Sequence, residues 1–366
     1  MARHARSLPT PTRTRQRLAL LTVNLLSAAW LAACGGGGDT AVVDTATVNG
    51  NAADASTMPL AAAEALDEAT VTLESALATT ASDSGGSSAN GSNGSNGSNG
   101  SNSTAAADGL AQPQAAAQAG GSGVGVTVAC AGGGSVRWSI SGGTLQQQLN
   151  GQLDAGETYD VTFTACAGAN TGLVLDGRLS LVVNARSSTA STSAWDLALS
   201  ATGLVLSGAP GSFTVNGSAR SQRSSSTLAD GGTQLDSHFS ADTLALASGL
   251  SGRQASYQLK TLDWTVARRS DAAGALLSRS HQGTLALVVG STRRPAATLQ
   301  VASLGSATVG SDGLAASGSF RLTTGGDRVD VVYGSATVTV SVDLGNDGSI
   351  DKTWTLSRGS FQGEAG

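Results

Sequence analysis

Few residues of this 366-residue chain have the types and spacing that chemistry requires. Three sets do: a cysteine pair, an aspartate with a nearby histidine, and three aspartates in a glycine-rich turn near the C-terminus. Their members are Cys130 and Cys166, Asp236 and His238, and Asp343, Asp347 and Asp351. The chain contains no Walker loop, no G-x-S-x-G elbow and no H-E-x-x-H pair. These sets are therefore candidates for a disulfide and for metal ligation, not parts of a recognised catalytic motif.

The N-terminus has the pattern of an export signal. Five arginines and no acidic residue fall within residues 1–33, and the apolar run LALLTVNLLSAAW occupies 18–30. This run is shorter than the roughly 20 apolar residues that a membrane-spanning helix needs. A basic start, a short apolar segment and a small-residue end are typical of a secretory signal peptide.

The signal ends in Leu31-Ala32-Ala33-Cys34, which resembles the lipobox of bacterial lipoprotein precursors. The resemblance implies removal of residues 1–33, diacylglycerol on the Cys34 sulfur and acylation of the new amino terminus. Three acyl chains anchor a protein far more firmly than one. Gly35 stands where this family commonly carries an aspartate as its inner-membrane retention signal. The resemblance therefore implies an outer-membrane lipoprotein.

After Cys34 only two cysteines remain, and each ends a predicted strand. An even number of cysteines in an exported chain indicates disulfide bonding. We therefore expect a disulfide between Cys130 and Cys166.

The histidine and tryptophan residues are expected to be structural. Asp236 and His238 share one face of a predicted strand. This pair could hold a metal or form part of a triad, but a solvated strand face shows the same spacing. Trp138, Trp195 and Trp264 are in phase with aliphatic neighbours. We expect them in the core.

The last predicted hairpin, residues 336–357, is a candidate calcium site. Asp343, Asp347 and Asp351 occupy positions 1, 5 and 9 of a loop that resembles the Asp-rich calcium loops of EF-hand and dockerin type, with Gly348 at position 6. Gly345 replaces the third ligand of those loops and Trp354 replaces their bidentate glutamate. The alternative is a plain glycine-rich turn.

The register of this hairpin supports the calcium hypothesis. We predict that Val338 pairs with Leu356 and Val340 with Trp354, which places Asp343 opposite Asp351. Like charges directly opposite each other are destabilising, and weakly bound Ca²⁺ would relieve that repulsion.

The composition of residues 34–121 predicts a disordered linker. The segment has no aromatic residue and contains a Gly-Ser-Asn repeat at 88–104, which is typical of flexible coil. Within it, Thr57, Pro59 and the alanine-, leucine- and glutamate-rich sequence that follows predict a short helix over 57–78. We expect this linker to tether the folded domain to the lipid.

From residue 122 to 366 apolar residues recur at every second position. Examples are Tyr159, Val161 and Phe163, and later Leu285 and Leu287. This period is typical of antiparallel strands with one solvated face. Glycine-rich turns separate about 12 to 15 such segments. The predicted fold class is therefore an all-β antiparallel meander, as a barrel or a sandwich.

Charge limits the choice of partners. Outside the signal segment the chain carries 16 basic and 26 acidic residues, and nucleic-acid binding depends largely on basic neutralisation of phosphates. We therefore expect no nucleic-acid partner. The arginine pairs 268–269 and 293–294 are expected in polar turns.

The expected function is that of an outer-membrane lipoprotein presenting an all-β binding or structural domain to an envelope protein or glycan, and not that of an enzyme. Two alternatives stay open. An envelope hydrolase would require clustered, buried carboxylates in a pocket, whereas a smooth polar face would favour the binding domain. A calcium-stabilised, adhesin-like module is the other alternative.

Overall fold

A long helix and an antiparallel sheet make up the described part of the chain. In this computed structural model the described residues are 43–84, 125–168, 172–208, 211–250, 254–291, 294–310 and 315–365. The predictions for the signal peptide 1–33, for lipidated Cys34 and for the 88–104 repeat concern residues outside these ranges.

The first element is the helix α1, Thr45–Ser84. It includes the predicted helical segment 57–78 and is 40 residues long. Alanine, the residue with the highest helix propensity, is frequent in it. Pro59 lies inside the helix and cannot donate the helical hydrogen bond to the carbonyl of Ala55. Every residue from 51 to 70 is buried, so all sides of this segment are covered.

Fifteen strands of the described residues form one antiparallel sheet. They are β1 Val126–Ala129, β2 Ser135–Gly142, β3 Glu157–Ala167, β4 Val174–Ser188, β5 Thr192–Gly208, β6 Gly211–Thr227, β7 Thr233–Leu250, β8 Ala255–Ser270, β9 Leu276–Gly290, β10 Ala297–Ser303, β11 Ala307–Thr308, β12 Gly318–Thr324, β13 Asp327–Tyr333, β14 Thr337–Asp343 and β15 Lys352–Ser357. The short helices α2, Leu145–Gln148, and α3, Arg358–Gln362, and a 3₁₀ turn, Leu344–Asn346, complete the described elements.

The strand order follows the chain, which confirms the predicted all-β meander. Each strand pairs with its neighbours in sequence, except that β10 pairs with β12 while β11 pairs with β9. The order starts at β1 and ends at β15, and within the described ranges these two strands do not pair. The sheet is therefore open and does not close into a barrel.

The sheet curls around α1 and contacts it from several strands. Ser56 shares a hydrogen bond of 2.7 Å with the Tyr333 hydroxyl on β13. Trp354 Nε1 on β15 donates to Asn49 Oδ1 over 2.8 Å. Strands β7 and β8 also hydrogen-bond to the helix, and α1 from Ala46 onward belongs to the same compact unit as the sheet. The sequence predicted a helix over 57–78 within a linker, whereas in the structure the helix extends over Thr45–Ser84 and contacts the sheet.

The composition of α1 explains why the sequence predicted a linker here. Alanine-rich, acidic and aromatic-poor segments are common in solvated linkers. Here several of the same small side chains are fully buried, among them Ala52, Ala62 and Ala69.

The predicted apolar alternation is confirmed in the inner face of the sheet. Leu285, Leu287 and Val289 are almost fully buried, and so are Leu262 and its in-phase neighbours on β8. Trp138 and Trp264 lie in the core as predicted, whereas Trp195 is only half-buried. A bulge at Thr261, which has a φ of 49°, shifts the register between Lys260 and Asp263 and sets the inward phase of the second half of β8.

The predicted register of the last hairpin is also confirmed. Val338 pairs with Leu356, Val340 with Trp354 and Val342 with Lys352. The Lys352 ammonium lies 5.7 Å from the centre of the Trp354 ring, within the range of a cation–π interaction.

The Cys130–Cys166 disulfide is confirmed, with the two Cα atoms 5.4 Å apart. It joins the end of β1 to β3 across the 36 residues that separate the two cysteines. The disulfide therefore holds the edge strand β1 to the sheet in addition to the β1–β2 hydrogen bonds.

We predict that replacing both cysteines by alanine lowers the free energy of unfolding by about 4 kcal/mol, because closing a loop of this length restricts the unfolded chain. Urea denaturation of the oxidised protein and of the Cys130→Ala/Cys166→Ala protein measures the difference. Reduction of the native protein should reproduce it. Equal unfolding midpoints in all three samples would contradict the prediction.

Candidate functional site

The polar centre of the molecule lies between α1 and the inner face of the sheet. The helix sequence contains six acidic residues and no basic one. The sheet and its loops direct basic side chains towards this helix: Arg223 from β6, Arg268 from β8, Arg279 and His281 from β9, and Arg294 from the β9–β10 loop. Opposite charges therefore meet inside the fold.

Glu64 contacts three basic residues of this network. Its side chain is fully buried and accepts from Arg279 Nη1 over 2.7 Å. Arg268 Nη2 lies 3.4 Å from the same oxygen, Oε2, and His281 Nε2 lies 2.5 Å from the other, Oε1. Burial raises the pKa of Glu64, but the hydrogen bond from His281 and the surrounding positive charges lower the pKa to about 2. Glu64 is therefore ionised at neutral pH.

Arg268 joins three carboxylates of α1. Its Nη1 and Nη2 each donate to Glu68 Oε2 over 2.9 Å, and its Nε contacts Asp67. The Ser237 hydroxyl donates to the other oxygen of Asp67 over 2.8 Å. Only 8% of the Arg268 side chain is exposed. Arg268 thus binds the middle of the helix to β8.

The expected position of Arg268 in a polar turn is wrong. The residue lies within β8 and follows Leu262, Trp264 and Val266 on the inner face. The alternation in the sequence could have shown this, because Arg268 falls on the same face as the apolar residues before it. An arginine on a buried apolar face must be paired with an acidic group. Arg269, which points outward, is exposed and pairs with Asp230.

Of the second arginine pair, the structure describes Arg294. Arg294 donates to Asn51 Oδ1 over 3.0 Å and forms an ion pair with Asp54 near the start of α1. Its side chain is only 8% exposed, so it too is an interior residue. Arg293 lies outside the described residues.

A cavity of about 390 Å³ lies beside this network. It is bounded by the second half of α1, by the disulfide end of the sheet and by the ends of β7, β8 and β9. Its lining includes Thr72, Thr79, Cys130 and Val136, together with the paired Glu68 and Arg268. Its volume is within the range of small-molecule sites.

The structure does not bring Asp236 and His238 together. His238 Nε2 lies 2.7 Å from Asp263 Oδ1 on the neighbouring strand, and both side chains are exposed. Asp236 instead accepts from Gln234 Nε2 over 2.8 Å. These contacts fit the expected structural role on a solvated strand face.

The acidic turn uses its carboxylates to hold its own backbone. Asp343 is fully buried and accepts from the N–H groups of Asp347 and Gly348, each over 3.1 Å. Arg328 Nη2 lies 3.1 Å from Asp343. Asp351 accepts from the N–H of Leu344 over 2.7 Å. The pairing of Asp343 with Arg328 supplies the positive charge for which the sequence suggested calcium.

Within the described part of the chain, no group of three or more histidine, cysteine or acidic residues is arranged to hold a metal ion. Calcium ligation by Asp343, Asp347 and Asp351 therefore stays a prediction from the sequence.

Comparisons of the chain with protein-family models, with curated proteins and with solved structures find no match. Among the described residues, no helix is both long and apolar enough to cross a membrane. What the site does must therefore be inferred from its own residues.

We predict that Glu64→Gln lowers the free energy of unfolding by about 3–5 kcal/mol, because it removes the carboxylate that pairs with the buried Arg279 guanidinium. Chemical denaturation measures the loss. Asp263→Asn is the matched control, since it removes an exposed carboxylate and should change stability by less than about 0.5 kcal/mol. Equal effects of the two substitutions would contradict the prediction.

The lowered pKa of Glu64 predicts a loss of stability in acid. In the folded state this carboxylate has a pKa of about 2, whereas the ordinary pKa of a glutamate side chain is 4.5. Its contribution to the free energy of unfolding, about 3 kcal/mol in all, is therefore fully present above pH 4.5. This contribution disappears as the pH falls towards 2. Urea unfolding at several pH values measures this change. The Glu64→Gln protein should lack this part of the pH dependence, and an unchanged pH profile in that variant would rule out Glu64 as its source.

Proposed function

We propose that this protein is an outer-membrane lipoprotein, anchored through Cys34, whose all-β domain serves as a binding or structural module of the cell envelope. The observation that carries the proposal is the sequence Leu31-Ala32-Ala33-Cys34 at the end of a basic and then apolar leader. Gly35 after the cysteine supports the outer membrane as its destination.

The start of α1 makes the proposed tether short. Thr45, the first helical residue, lies eleven positions after Cys34. A fully extended chain of that length spans at most about 40 Å. Residues 85–124 follow α1 in the sequence, so they do not lie between Cys34 and the helix. A lipid on Cys34 would therefore keep the domain close to the membrane surface.

Two features support binding as the role of the domain. The cavity beside the disulfide has a volume of about 390 Å³ and a lining of small, apolar and paired polar groups. The open sheet also ends in the edge strands β1 and β15, and edge strands can pair with an extended segment of another protein. An envelope protein or a glycan fits these surfaces.

The carboxylate cluster supports this role better than hydrolysis. A carboxylic acid that donates a proton near neutral pH needs a raised pKa, whereas Glu64 has a lowered one. Its neighbours Asp67 and Glu68 are ion-paired with Arg268. The cluster is built to hold the helix to the sheet.

We predict that growth with an alkyne fatty acid labels the protein and that Cys34→Ala removes both the label and membrane association. The reason is that the Cys34 sulfur and the amino group exposed by cleavage are the acylated atoms. The alkyne is coupled to a fluorescent azide, and fluorescence after gel separation measures the label. Membrane fractionation measures the association with the membrane.

Cys130→Ala is the control, because this cysteine belongs to the disulfide and its loss should leave the label in place. Labelling that persists in Cys34→Ala would refute the anchor. Protease treatment of intact cells then shows whether the domain faces the periplasm or the cell surface.

A further inference from the structure

Arg223 on β6 is a buried cation with too few partners. Its side chain has no exposed surface, and it points to the inner face of the sheet. Among the described residues its single ionic contact is Glu74 Oε2 on α1, 3.0 Å from Nη2. Within the same residues its Nε, Nη1 and Nη2 have no hydrogen-bond partner. Buried donors that stay unsatisfied destabilise the folded state.

The strand register places two more unsatisfied donors beside Arg223. Trp195 on β5 pairs directly with Arg223, and Arg186 on β4 pairs directly with Trp195. Trp195 Nε1 and Arg186 Nε are buried and lack hydrogen-bond partners among the described residues. The buried hydroxyl of Ser221, two residues before Arg223 on the same face, is in the same condition. These four residues form what we call the donor row.

Other contacts hold the donor row in place without satisfying it. The terminal nitrogens of Arg186 bind Asp154 and Gln152, so its Nε is fixed in orientation. The Glu74 side chain is 26% exposed, so the row lies at the margin of the buried interior and not at its centre.

Glu74 pairs with the charge of Arg223 but leaves its donors without hydrogen bonds. Glu74 Oε2 lies 3.0 Å from Arg223 Nη2, and Asp154 pairs with Arg186 in the same way. The other carboxylate oxygen of Glu74, Oε1, has no hydrogen-bond partner in the described part of the chain, and neither has any of the three guanidinium nitrogens of Arg223. The donor row therefore contains more hydrogen-bond donors than its described neighbours match.

We propose that the donor row binds a small oxyanion, either a phosphate or a carboxylate. The guanidinium fork of Arg223 suits two oxygens of one such group, and the indole N–H can only donate. A single oxyanion offers several acceptor oxygens to these donors at once. The proposal depends on the folded domain alone, so it holds or fails independently of lipidation at Cys34.

Equilibrium dialysis of the purified full-length protein against radiolabelled inorganic phosphate tests the proposal. Acetate competes in a second arm, and sodium chloride keeps the ionic strength constant throughout. We expect saturable binding of phosphate and a melting temperature that rises with phosphate concentration, since a ligand of the folded state stabilises it. Displacement by acetate would assign the site to carboxylates as well as phosphates.

Three variants connect any binding to the donor row. Trp195→Phe keeps the ring but removes the N–H, so phosphate binding should weaken about tenfold, as expected for one hydrogen bond to a charged group. Arg223→Lys keeps the charge but loses the fork, and binding should weaken at least as much. Arg220→Gln is the matched control, because Arg220 lies on the same strand, is 55% exposed and pairs with Asp196. It should bind phosphate as the native protein does.

Two results would overturn the proposal. The first is a native protein that retains neither phosphate nor acetate in dialysis and melts at the same temperature with or without them. The second is a native affinity for phosphate in both Trp195→Phe and Arg223→Lys. The phenylalanine variant keeps the assay informative if the lysine variant fails to fold.

Discussion

The pairing of an acidic helix with a basic inner sheet face is the interaction on which the rest of the structure depends. Without α1, the sheet would enclose Arg268 and Arg279 with no carboxylate beside them. Without the sheet, α1 would be an isolated helix whose charged residues are all acidic. Burying an unpaired charge is far more costly than burying a matched pair. The two parts therefore reach their observed form only together, and the helix belongs to the core.

This constraint also explains how the anchor and the domain are related. A linker of the length that composition suggested would separate the lipid from the fold. Thr45, the first residue of α1, follows Cys34 by eleven positions, and the helix belongs to the core from Ala46 onward. The proposed anchor at Cys34 would therefore lie close in sequence to a helix whose contacts with the sheet extend from Asn49 to Glu74.

Sequence reasoning succeeded where the signal is local. Alternation of period two predicted the strands and their inner faces, and matched pairs such as Val340 and Trp354 predicted the last hairpin register. Two cysteines at strand ends predicted the disulfide. It failed for α1 because the partners of Glu64 lie 204 to 217 positions away. Nothing local to 45–84 distinguishes an acidic helix that will meet arginines from one that will meet water.

The remaining question is why a fold with a large apolar core keeps these charges. A buried ion pair is often no more stabilising than apolar residues of the same volume, but it can specify a unique arrangement. The strands here are rich in small, repetitive residues, and a slip of one residue reverses the two faces of a strand. Such a slip in β8 would turn Arg268 outward and Arg269 inward, leaving Glu68 and Asp67 unpaired against the sheet. The apolar stripe alone would tolerate slips of two residues, because it repeats with that period. The charges would not, since Arg268 meets its three carboxylates in one register alone. We infer that the ion pairs set the position of the helix against the strands, while the apolar residues supply most of the stability.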